Sequence, residues 1–414
     1  MGHEGFAEVT RLAAAREELL SVVDPPEAAE SVAVADAVGR TVAAPVDAGR
    51  DVPGFDRAAM DGYAVRAADT HDASGRSPVV LDAVGLGPTC NQNSGSSDDA
   101  VDGEVGPREA GYVHTGSPMP DGADAVVKVE ETDTRGDRVE IAAAVPPGEN
   151  VAPAGEDVES GERIFEAGRR LRPSDLGLLK AAGHRSVPVR PRPRVSVVPT
   201  GEELVDFDPG YGETTETNGL TVSRLVERWG GEATYRDVVG DDEDALREAI
   251  ERDADHDVVV TTGGSSVGER DLIAGVVADL GEVLGHGVAL KPGHPVGYGV
   301  VDGTPVLTLP GYPVSCLVTA VQLLRPAVAR AGGFDPEPFP EFEATLDRKI
   351  AGEVGVRSFV RVRRTGEGTV EPVRGGAGAL SSVAAADGWV VVPESLEGVA
   401  AGEPVVVQRW EPFV

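Results

Sequence analysis

The sequence predicts a multidomain protein of the α/β plus β class, on three observations. Residues 51–147 contain short apolar runs separated by Gly, Pro and Asp turns, which is typical of a β-rich domain. Residues 187–333 alternate strand-like and helix-like segments, which predicts a central α/β domain with a mostly parallel sheet. After a proline cluster, residues 334–414 return to short strands and Gly turns, which predicts a small C-terminal β-barrel.

Length and composition restrict the class of protein. A chain of 414 residues is too long for one ordinary core, so we expect several domains. We find no run of about 18 apolar residues and no signal peptide, so no membrane-spanning segment is expected. The two cysteines, Cys90 and Cys316, have neither metal-ligand nor CxxC spacing, which favours a reducing cytoplasm.

The charge of the chain is strongly acidic. A formal net charge of −33 makes nucleic acid and anionic membranes poor partners. Only four of the 37 basic residues are lysines. An acidic, lysine-poor surface favours a halophilic source, because concentrated salt screens the repulsion between carboxylates.

Local patterns predict the elements of the first half. We expect an amphipathic helix at Phe6–Val23 and an extended run at Ser31–Ala37. Pro173 is predicted to begin a helix that ends before Gly183, and the Pro/Arg run Val187–Arg194 is interpreted as a linker. Strands of the β-rich domain are predicted at Val79–Val84, Tyr112–Thr115 and Ala125–Glu130.

The second half alternates between strands and helices. The strands are predicted at Arg194–Thr200, Ala233–Val239, Asp257–Thr262, Val288–Leu290 and Val306–Leu309. The helices are predicted at Thr217–Trp229, Glu243–Arg252, Arg270–Leu280 and Pro313–Ala331.

Polar and glycine-rich clusters follow each predicted strand of the α/β domain. Open α/β sheets bind ligands beyond the carboxyl ends of their strands, so five clusters at one edge predict a binding site. The clusters are Pro199–Glu203, Gly240–Asp242, Thr261–Asp271, Lys291–Pro295 and Leu309–Ser315.

Each cluster has a functional and a purely structural interpretation. Gly263, Gly264 and Ser265 allow backbone N–H groups to approach a phosphate, or simply form a tight turn with a serine cap. Carboxylates that follow the strands have the oxygen donors that Mg²⁺ prefers, but each alone also suits a helix cap or a solvated side chain. These carboxylates are Glu203, Asp241 and Asp271.

The last two clusters contain groups that suit an oxyanion. Lys291 and His294 offer charge and hydrogen bonds, although a single histidine is as often structural. Ser315 is either an anion donor or the cap of the last helix.

One segment carries a family resemblance. Asp51–Arg66 reads DVPGFDRAAMDGYAVR and closely resembles the PGFDNSAMDGYA signature of MoeA-type molybdopterin molybdenumtransferases, the gephyrin E-domain family. The resemblance covers essentially the whole chain. Further similar strings are HTGSPMPDGADAVV, GEDV, PTGEEL, ETN, TTGGSSVGERD, LKPGHP, LPGYPVSC and GALSSVAAADGWVVVPE.

The resemblance implies a reaction and a set of site residues. Family members insert molybdenum from molybdate into adenylylated molybdopterin and release AMP, with Mg²⁺ assisting. The implied catalytic residues are Asp61, Glu203, Asp241, Asp271 and Lys291. Three of them, Glu203, Asp241 and Asp271, are also the implied metal ligands. The implied cofactor-binding residues are Thr115, Asp157, Gly263, Gly264, Ser265, His294, Pro310, Gly311, Ser315 and Arg361.

The resemblance also implies an assembly. Family members are homodimers whose cleft lies between the α/β domain of one subunit and the β domain of the other, so Asp61 and Thr115 would reach the site from the partner chain. Residues 1–50 and 148–186 would form an elongated linker and dimerisation domain. Molybdopterin adenylyltransferase and later cofactor-biosynthesis proteins are the implied pathway partners.

Several departures from the family pattern leave alternatives open. Ala152 and Ala154 stand where arginines are usual, His294 replaces a lysine, Tyr312 replaces an asparagine, and Ala377 lies where the family has GSG. A tungsten-inserting paralogue, a non-catalytic molybdopterin-binding or scaffold protein and a molybdopterin adenylyltransferase are the alternatives to a molybdenum insertase.

Overall fold

The computed structural model describes residues 9–85, 104–263 and 272–411. Within these ranges it has eight helices, named α1–α8 in chain order. The helices are α1 (Leu12–Ser21), α2 (Pro173–Ala181), α3 (Asn218–Trp229), α4 (Glu243–Arg252), α5 (Leu272–Leu280), α6 (Pro313–Thr319), α7 (Arg325–Ala331) and α8 (Leu380–Ala384).

The strands of the described residues are named in the same way. They are β1 (Glu30–Ala33), β2 (Val46–Asp47), β3 (Arg57–Ala58), β4 (Gly62–Val65), β5 (Val79–Val84), β6 (Glu109–Val113), β7 (Ala125–Lys128), β8 (Thr132–Arg135), β9 (Arg138–Ile141), β10 (Val151–Ala152), β11 (Arg163–Phe165), β12 (Ser186–Val189), β13 (Arg194–Pro199), β14 (Leu204–Val205), β15 (Thr214–Thr215), β16 (Glu232–Tyr235), β17 (Val258–Thr262), β18 (Gly281–His286), β19 (Leu290–Lys291), β20 (Gly297–Val301), β21 (Thr304–Leu309), β22 (Glu341–Leu346), β23 (Ile350–Ala351), β24 (Arg357–Gly366), β25 (Thr369–Pro372), β26 (Gly388–Val392), β27 (Gly398–Val399) and β28 (Pro404–Gln408).

The central sheet has six strands in the order β16-β13-β17-β21-β20-β18. The first four are parallel to one another, β20 is antiparallel to β21, and β18 is antiparallel to β20. Every residue of β17 is buried, as its run of β-branched valines and threonines predicts for a central parallel strand. The mostly parallel α/β sheet is therefore confirmed, and the antiparallel hairpin at its edge was not predicted.

The C-terminal part is a closed barrel. Strand β24 pairs with β25 and with β26, and β22 and β28 complete the circuit between them. Closure removes the exposed strand edges that an open sheet of this size would have. The predicted β-barrel is confirmed.

The β-rich part forms another six-stranded sheet, in the order β7-β4-β6-β5-β9-β8. Its separate core includes Tyr63, Leu81 and Ile141. Strand β5 occupies the predicted range Val79–Val84, whereas the predicted strand Tyr112–Thr115 lies two to three residues too late, because β6 spans Glu109–Val113. A separate core is what the predicted β-rich insert requires.

Two segments that are distant in the N-terminal half, β1 and β12, pair with each other. Strand β1 pairs antiparallel with β12, with Glu30 opposite Val189. The linker interpretation of Val187–Arg194 is therefore wrong for Val187–Val189, because these residues belong to β12. Pro188 does not prevent the pairing, since proline is tolerated in an edge strand. Pro173 begins α2 as predicted.

Helix α2 is anchored by a buried carboxylate. Burial alone would raise the pKa of Asp175, but hydrogen bonds from Arg169 and Arg172 lower it to about 2. The backbone N–H of Arg172 donates to Asp175 Oδ2 over 2.8 Å, which caps the helix start. The ionised carboxylate of Asp175 therefore ties the start of α2 to Arg169 and Arg172, which precede the helix.

The predicted helix Pro313–Ala331 is continuous but irregular. A π-helical turn at Ala320–Leu324 separates α6 from α7. Among the described residues this is the one helix long and apolar enough to cross a membrane by length and composition. Its most apolar window is 83% buried, which makes it a core helix of this fold.

Candidate functional site: the carboxyl edge of the α/β sheet

The carboxyl ends of the parallel strands meet as predicted. The N–H of Gly201, just after β13, donates to Val239 O over 3.1 Å. The N–H of Gly263, just after β17, donates to Leu309 O at the end of β21 over 3.0 Å. Three of the predicted clusters therefore lie at one edge of the sheet, and Val239, which precedes the cluster Gly240–Asp242, lies at the same edge. The three clusters are Pro199–Glu203, Thr261–Asp271 and Leu309–Ser315, at their described residues.

Gly263 is a position that only glycine can occupy. Its φ is +134°, and a Cβ atom there would lie 2.2 Å from Thr200 O. The buried hydroxyls of Thr200, Thr261 and Thr262 have no hydrogen-bond partner among the described residues. Since buried polar groups normally have partners, these hydroxyls are candidate ligand contacts. The predicted phosphate contacts Gly264 and Ser265 lie outside the described residues.

The start of α3 fixes the loop after β21. Asn218 Nδ2 donates to Gly311 O over 2.7 Å. The buried Glu216 accepts a hydrogen bond from Gly219 N over 2.6 Å and another from the Tyr235 hydroxyl. These bonds position the predicted residues Pro310 and Gly311. Glu216 and Asn218 belong to the ETN string, which the sequence singled out only by family resemblance.

The predicted metal ligands are partly placed. Glu203 and Asp241 are both exposed and follow neighbouring strands of the sheet. The third predicted ligand, Asp271, lies outside the described residues. In the part of the chain that the structure describes, no three His, Cys, Asp or Glu side chains are grouped for a metal ion.

Glu203 is held close to its own loop. A Cβ atom at Gly201 would lie 2.8 Å from the nearer carboxylate oxygen of Glu203, so this side chain folds back over the loop. The φ of +145° at Gly201 is what favours glycine at this position. Glu203 and Asp241 are solvent-exposed carboxylates at the carboxyl edge of the sheet. Such carboxylates suit Mg²⁺, which keeps several waters and takes its other ligands from substrate phosphates.

Lys291 lies elsewhere than predicted. The predicted strand Val288–Leu290 does not join the α/β sheet; β19 pairs parallel with Arg357 and Ser358 of the barrel strand β24. Lys291 Nζ lies 3.5 Å from Glu353 Oε2, and both side chains are exposed. A short apolar run does not identify its partner strand, which explains the error. No sequence signal pointed to Glu353.

The Lys291–Pro295 loop nevertheless approaches the last predicted cluster. A Cβ atom on Gly293 would lie 3.3 Å from Ser315 O and 2.5 Å from the Thr319 methyl group. His294 Nδ1 lies 2.8 Å from Val288 O, which orients the ring within the loop. Ser315 is buried near the start of α6. The fourth and fifth clusters are therefore neighbours, joined by α6 rather than by the sheet edge.

Arg361 is a buried cation with open donors. The side chain is on β24, and only 9% of the residue is exposed. Its Nη2 donates to Gly375 O over 2.9 Å, whereas Nε and Nη1 have no partner among the described residues. Burial lowers the pKa of the guanidinium. A buried, incompletely paired guanidinium is suited to bind an oxyanion.

The barrel loop beside Arg361 contacts the last cluster. Val314 N donates to Ala377 O over 2.9 Å, which joins residues 375–382 to the start of α6. A Cβ atom at Gly378 would lie 3.4 Å from the Tyr312 ring. The departures Tyr312 and Ala377 thus lie together at the junction between the barrel and the α/β part.

Asp61 and Thr115 form a unit in the β-rich part. Both the N–H (2.6 Å) and the hydroxyl (3.0 Å) of Thr115 donate to Asp61 Oδ1, and His114 Nδ1 lies 3.9 Å away. The backbone bond, followed by the hydroxyl bond, lowers the pKa of Asp61. Asp56 has a different role, because it accepts from Ala154 N over 2.7 Å and fixes the loop.

The described contacts of this unit remain within residues 51–158. The backbone N–H of the exposed Asp157 donates to Val52 O over 2.9 Å. The described hydrogen bonds and ion pairs of Asp61, Thr115 and Asp157 do not connect them to the sheet edge of the same chain.

The fold and site together define an α/β protein with a phosphate-type sheet edge, next to an oxyanion-type contact from an attached barrel. Three family models match: the MoeA N-terminal region (domain I and II) at residues 10–183, a probable molybdopterin binding domain at 196–330, and the MoeA C-terminal region (domain IV) at 343–410. The chain belongs to the MoeA family.

Relatives of similar length support this assignment. Molybdopterin molybdenumtransferase 2 of Mycobacterium tuberculosis is 35% identical over 395 residues, 92% of this chain and 94% of that protein. Molybdopterin molybdenumtransferase of Haemophilus influenzae is 31% identical over 411 residues, 96% of this chain and 97% of that protein. The crystal structure of the molybdopterin biosynthesis MoeA protein from Pyrococcus horikoshii has a TM-score of 0.83 at 32% identity, covering 97% of this chain and 100% of that one.

Proposed function

We infer that this protein is a molybdopterin molybdenumtransferase, which inserts molybdenum from molybdate into adenylylated molybdopterin and releases AMP in molybdenum cofactor biosynthesis. The observation that carries this inference is the incompletely paired Arg361 guanidinium at the junction with α6. A buried cation with open donors fits a tetrahedral oxyanion such as molybdate. The full-length relatives named as molybdopterin molybdenumtransferases support the same reaction.

The chain's own residues divide the work between two neighbouring regions. The backbone at Gly263, the threonine hydroxyls and the loop at Gly311 would hold the phosphorylated substrate. Arg361, Lys291 and Ser315 would hold molybdate, and the Lys291–Glu353 ion pair would open when the oxyanion binds. Positioning and charge compensation, rather than a covalent nucleophile, are what cleavage of a phosphoanhydride requires.

We propose that Mg²⁺ assists the reaction. Glu203 and Asp241 would hold the ion together with substrate phosphate oxygens, and Asp271 is the third proposed ligand. When bound, the ion supplies charge neutralisation at the phosphoanhydride. His294 and Tyr312 are the residues we expect to tune oxyanion affinity, because they depart from the family pattern.

Turnover with two oxyanions tests the reaction. Purified protein is incubated with adenylylated molybdopterin, Mg²⁺ and either molybdate or tungstate in concentrated KCl, and AMP release and metal insertion are measured. We expect both with molybdate. Faster turnover with tungstate would identify a tungsten-inserting paralogue, and binding without AMP release would identify a scaffold protein.

We propose a homodimer with a shared site, in which Asp61 and Thr115 act on the α/β part of the partner subunit. In this proposal the chain has four domains, and Asp61 and Thr115 belong to the β-rich one. The first domain combines residues 1–50 and 148–186, and the others are 51–147, 187–333 and 334–414. Mixing inactive Asp61→Asn and Lys291→Gln chains is expected to restore up to about a quarter of wild-type turnover, because one site of each random heterodimer is intact. Each variant mixed with itself is the control, and absence of recovery in verified heterodimers would rule out the shared site.

We propose that the protein works in a cytoplasm of high salt, with molybdopterin adenylyltransferase supplying its substrate. Raising KCl from about 0.1 M to about 1 M shortens the screening length from about 10 Å to about 3 Å. The excess of 70 acidic over 37 basic residues should then repel less, so we expect the thermal unfolding midpoint to rise with KCl. Equal stability in dilute buffer would exclude the halophilic interpretation.

A further inference from the structure

A second cavity lies away from the sheet edge, where the N-terminal segments, the end of α3 and the proline-rich segment 334–340 meet. Its volume is about 570 Å³, which is within the range of small-molecule sites. Four arginines and one glutamate line it, in a chain whose acidic residues outnumber its basic residues by 70 to 37. The charged lining residues are Arg170, Arg172, Arg228, Arg325 and Glu337.

Two of these arginines are confined by aromatic rings. The Arg170 guanidinium lies 4.7 Å from the Phe334 ring centroid, and that of Arg325 lies 4.1 Å from the Phe339 centroid. Their described hydrogen bonds go to the carbonyls of Gly39 and Glu337, and neither forms an ion pair among the described residues. Two guanidinium groups therefore share one nearby carboxylate, that of Glu337, and neither forms an ion pair with it among the described residues.

The electrostatic cost of this arrangement is visible in both groups. Burial, as the largest effect, lowers the pKa of Arg170 and of Arg325. The Glu337 carboxylate, as the next largest effect, raises the pKa of both groups, and the positive charge of Arg170 lowers the pKa of Arg325. An added anion would relieve both the repulsion and the incomplete pairing.

The remaining wall is aromatic and contains an unpaired donor. Trp229 and Trp410 are 8% and 5% exposed and line the cavity. Trp410 Nε1 is buried and has no hydrogen-bond partner among the described residues. A lone inorganic oxyanion would leave this flat, apolar wall uncovered, so the lining favours an anion that also carries a ring.

We propose that this cavity is a binding site for a nucleoside monophosphate, with the phosphate on the arginines and the base against the tryptophans. The site is separate from the proposed catalytic one and does not depend on the proposed function.

Tryptophan fluorescence is a direct probe, because the chain has three tryptophans and two of them line the cavity. The third, Trp389, stacks on Trp410 at 4.6 Å. The full chain is titrated with AMP at the lowest KCl concentration that keeps it folded, since salt screens the contact. We expect saturable quenching by AMP and much weaker responses to adenosine, which has no phosphate, and to ribose 5-phosphate, which has no base.

Variants identify the source of the signal. Arg170→Gln with Arg325→Gln is expected to weaken AMP binding at least about tenfold, since each charged hydrogen bond contributes roughly that factor. Arg228→Gln, at an exposed lining position, tests the same site if the double variant fails to fold. Arg224→Gln is the matched control, because this exposed arginine lies one turn earlier on α3 and pairs with Glu227 outside the cavity.

Two outcomes would overturn the proposal. Quenching that survives both cavity variants but weakens in Thr200→Val with Thr262→Val, which removes two hydroxyls of the proposed phosphate contacts, would come from the catalytic site and would leave the proposed function intact. Tryptophan emission that does not respond to AMP but changes with protein concentration would show instead that the cavity is an interface between copies of the chain. Quenching lost in the cavity variants and kept in Thr200→Val with Thr262→Val would support the proposal even if no molybdenum were inserted.

Discussion

Replacing Arg361 with methionine is expected to lower molybdenum insertion about 100-fold while leaving the folded protein at least as stable as the wild type. The two effects have one cause. Arg361 is a buried cation whose Nε and Nη1 lack partners among the described residues, so the folded chain bears a desolvation cost that a bound oxyanion would offset. Methionine removes that cost and fills the space with a flexible apolar chain.

One contact opposes the gain in stability. Methionine would lose the hydrogen bond from Arg361 Nη2 to Gly375 O, which contributes about 1 kcal/mol. The expected net change is therefore small, and it contrasts with the large loss of activity. Turnover is measured at saturating and limiting molybdate, and stability is measured by chemical denaturation in the same KCl buffer.

Arg363→Met on the same strand is the matched control. Arg363 is exposed and pairs with Glu371 at 2.7 Å, so its loss removes an equal charge away from the junction with α6. We expect near wild-type turnover from this variant. Full activity in Arg361→Met would refute the proposed oxyanion contact, and a large loss of stability would show that Arg361 is structural.

The sequence predicted the elements whose period or boundary residues are strong. Helix α4 occupies its predicted range Glu243–Arg252, because an aspartate caps its start and one face is apolar. Helix α2 begins at the predicted Pro173 for a similar reason. Strand β17, with the sequence VVVTT, was placed to within one residue, since few other elements tolerate burial on both sides.

Pairing between distant segments was predicted less well. The sequence of β19 resembles that of any short apolar strand, so its place beside β24 of the barrel depends on tertiary contacts that no local pattern encodes. The same limitation applies to Ser186–Val189, which overlaps the run Val187–Arg194 whose prolines and arginines indicated a linker. The candidate site was affected in turn: the glycine and hydroxyl clusters of the sheet edge were located, but the Lys291–Glu353 pair was not.

The largest expected effect on stability comes from Asp253, a residue that the sequence did not single out. Asp253→Asn is expected to destabilise the fold by about 3 kcal/mol at neutral pH. The side chain is fully buried at the end of α4, where a negative charge is unfavourable. It accepts hydrogen bonds from Ser196 Oγ (2.6 Å), from Arg252 Nη2 (3.0 Å) and from Arg236.

These contacts explain the size and the limits of the effect. Asparagine removes the charge that both guanidinium groups share, so two arginines lose their counter-ion. The arginine side chains are 31% and 46% exposed and can turn towards water, which keeps the loss at the lower end for a broken buried ion pair. Ser196 is on β13, so the damage lies at the amino end of the sheet, away from the candidate site.

The loss should also depend on pH in a defined direction. Burial alone would raise the pKa of Asp253, but the bonds from Arg252, Arg236 and Ser196 lower it below the ordinary value of 3.8. A depressed folded pKa contributes stability that is complete above the unfolded pKa and is lost as pH falls through the folded one. The difference between wild type and Asp253→Asn should therefore be constant at neutral pH and shrink below about pH 3.8.

Urea denaturation of both chains at several pH values, in KCl, measures this difference. Asp255→Asn is the control two residues away, because Asp255 is exposed and its ion pair with Arg194 is open to solvent. We expect little change in this variant. A difference for Asp253→Asn that stayed constant down to pH 3 would mean that its carboxylate does not titrate as the hydrogen bonds require, and that the destabilisation comes from altered packing at the end of α4.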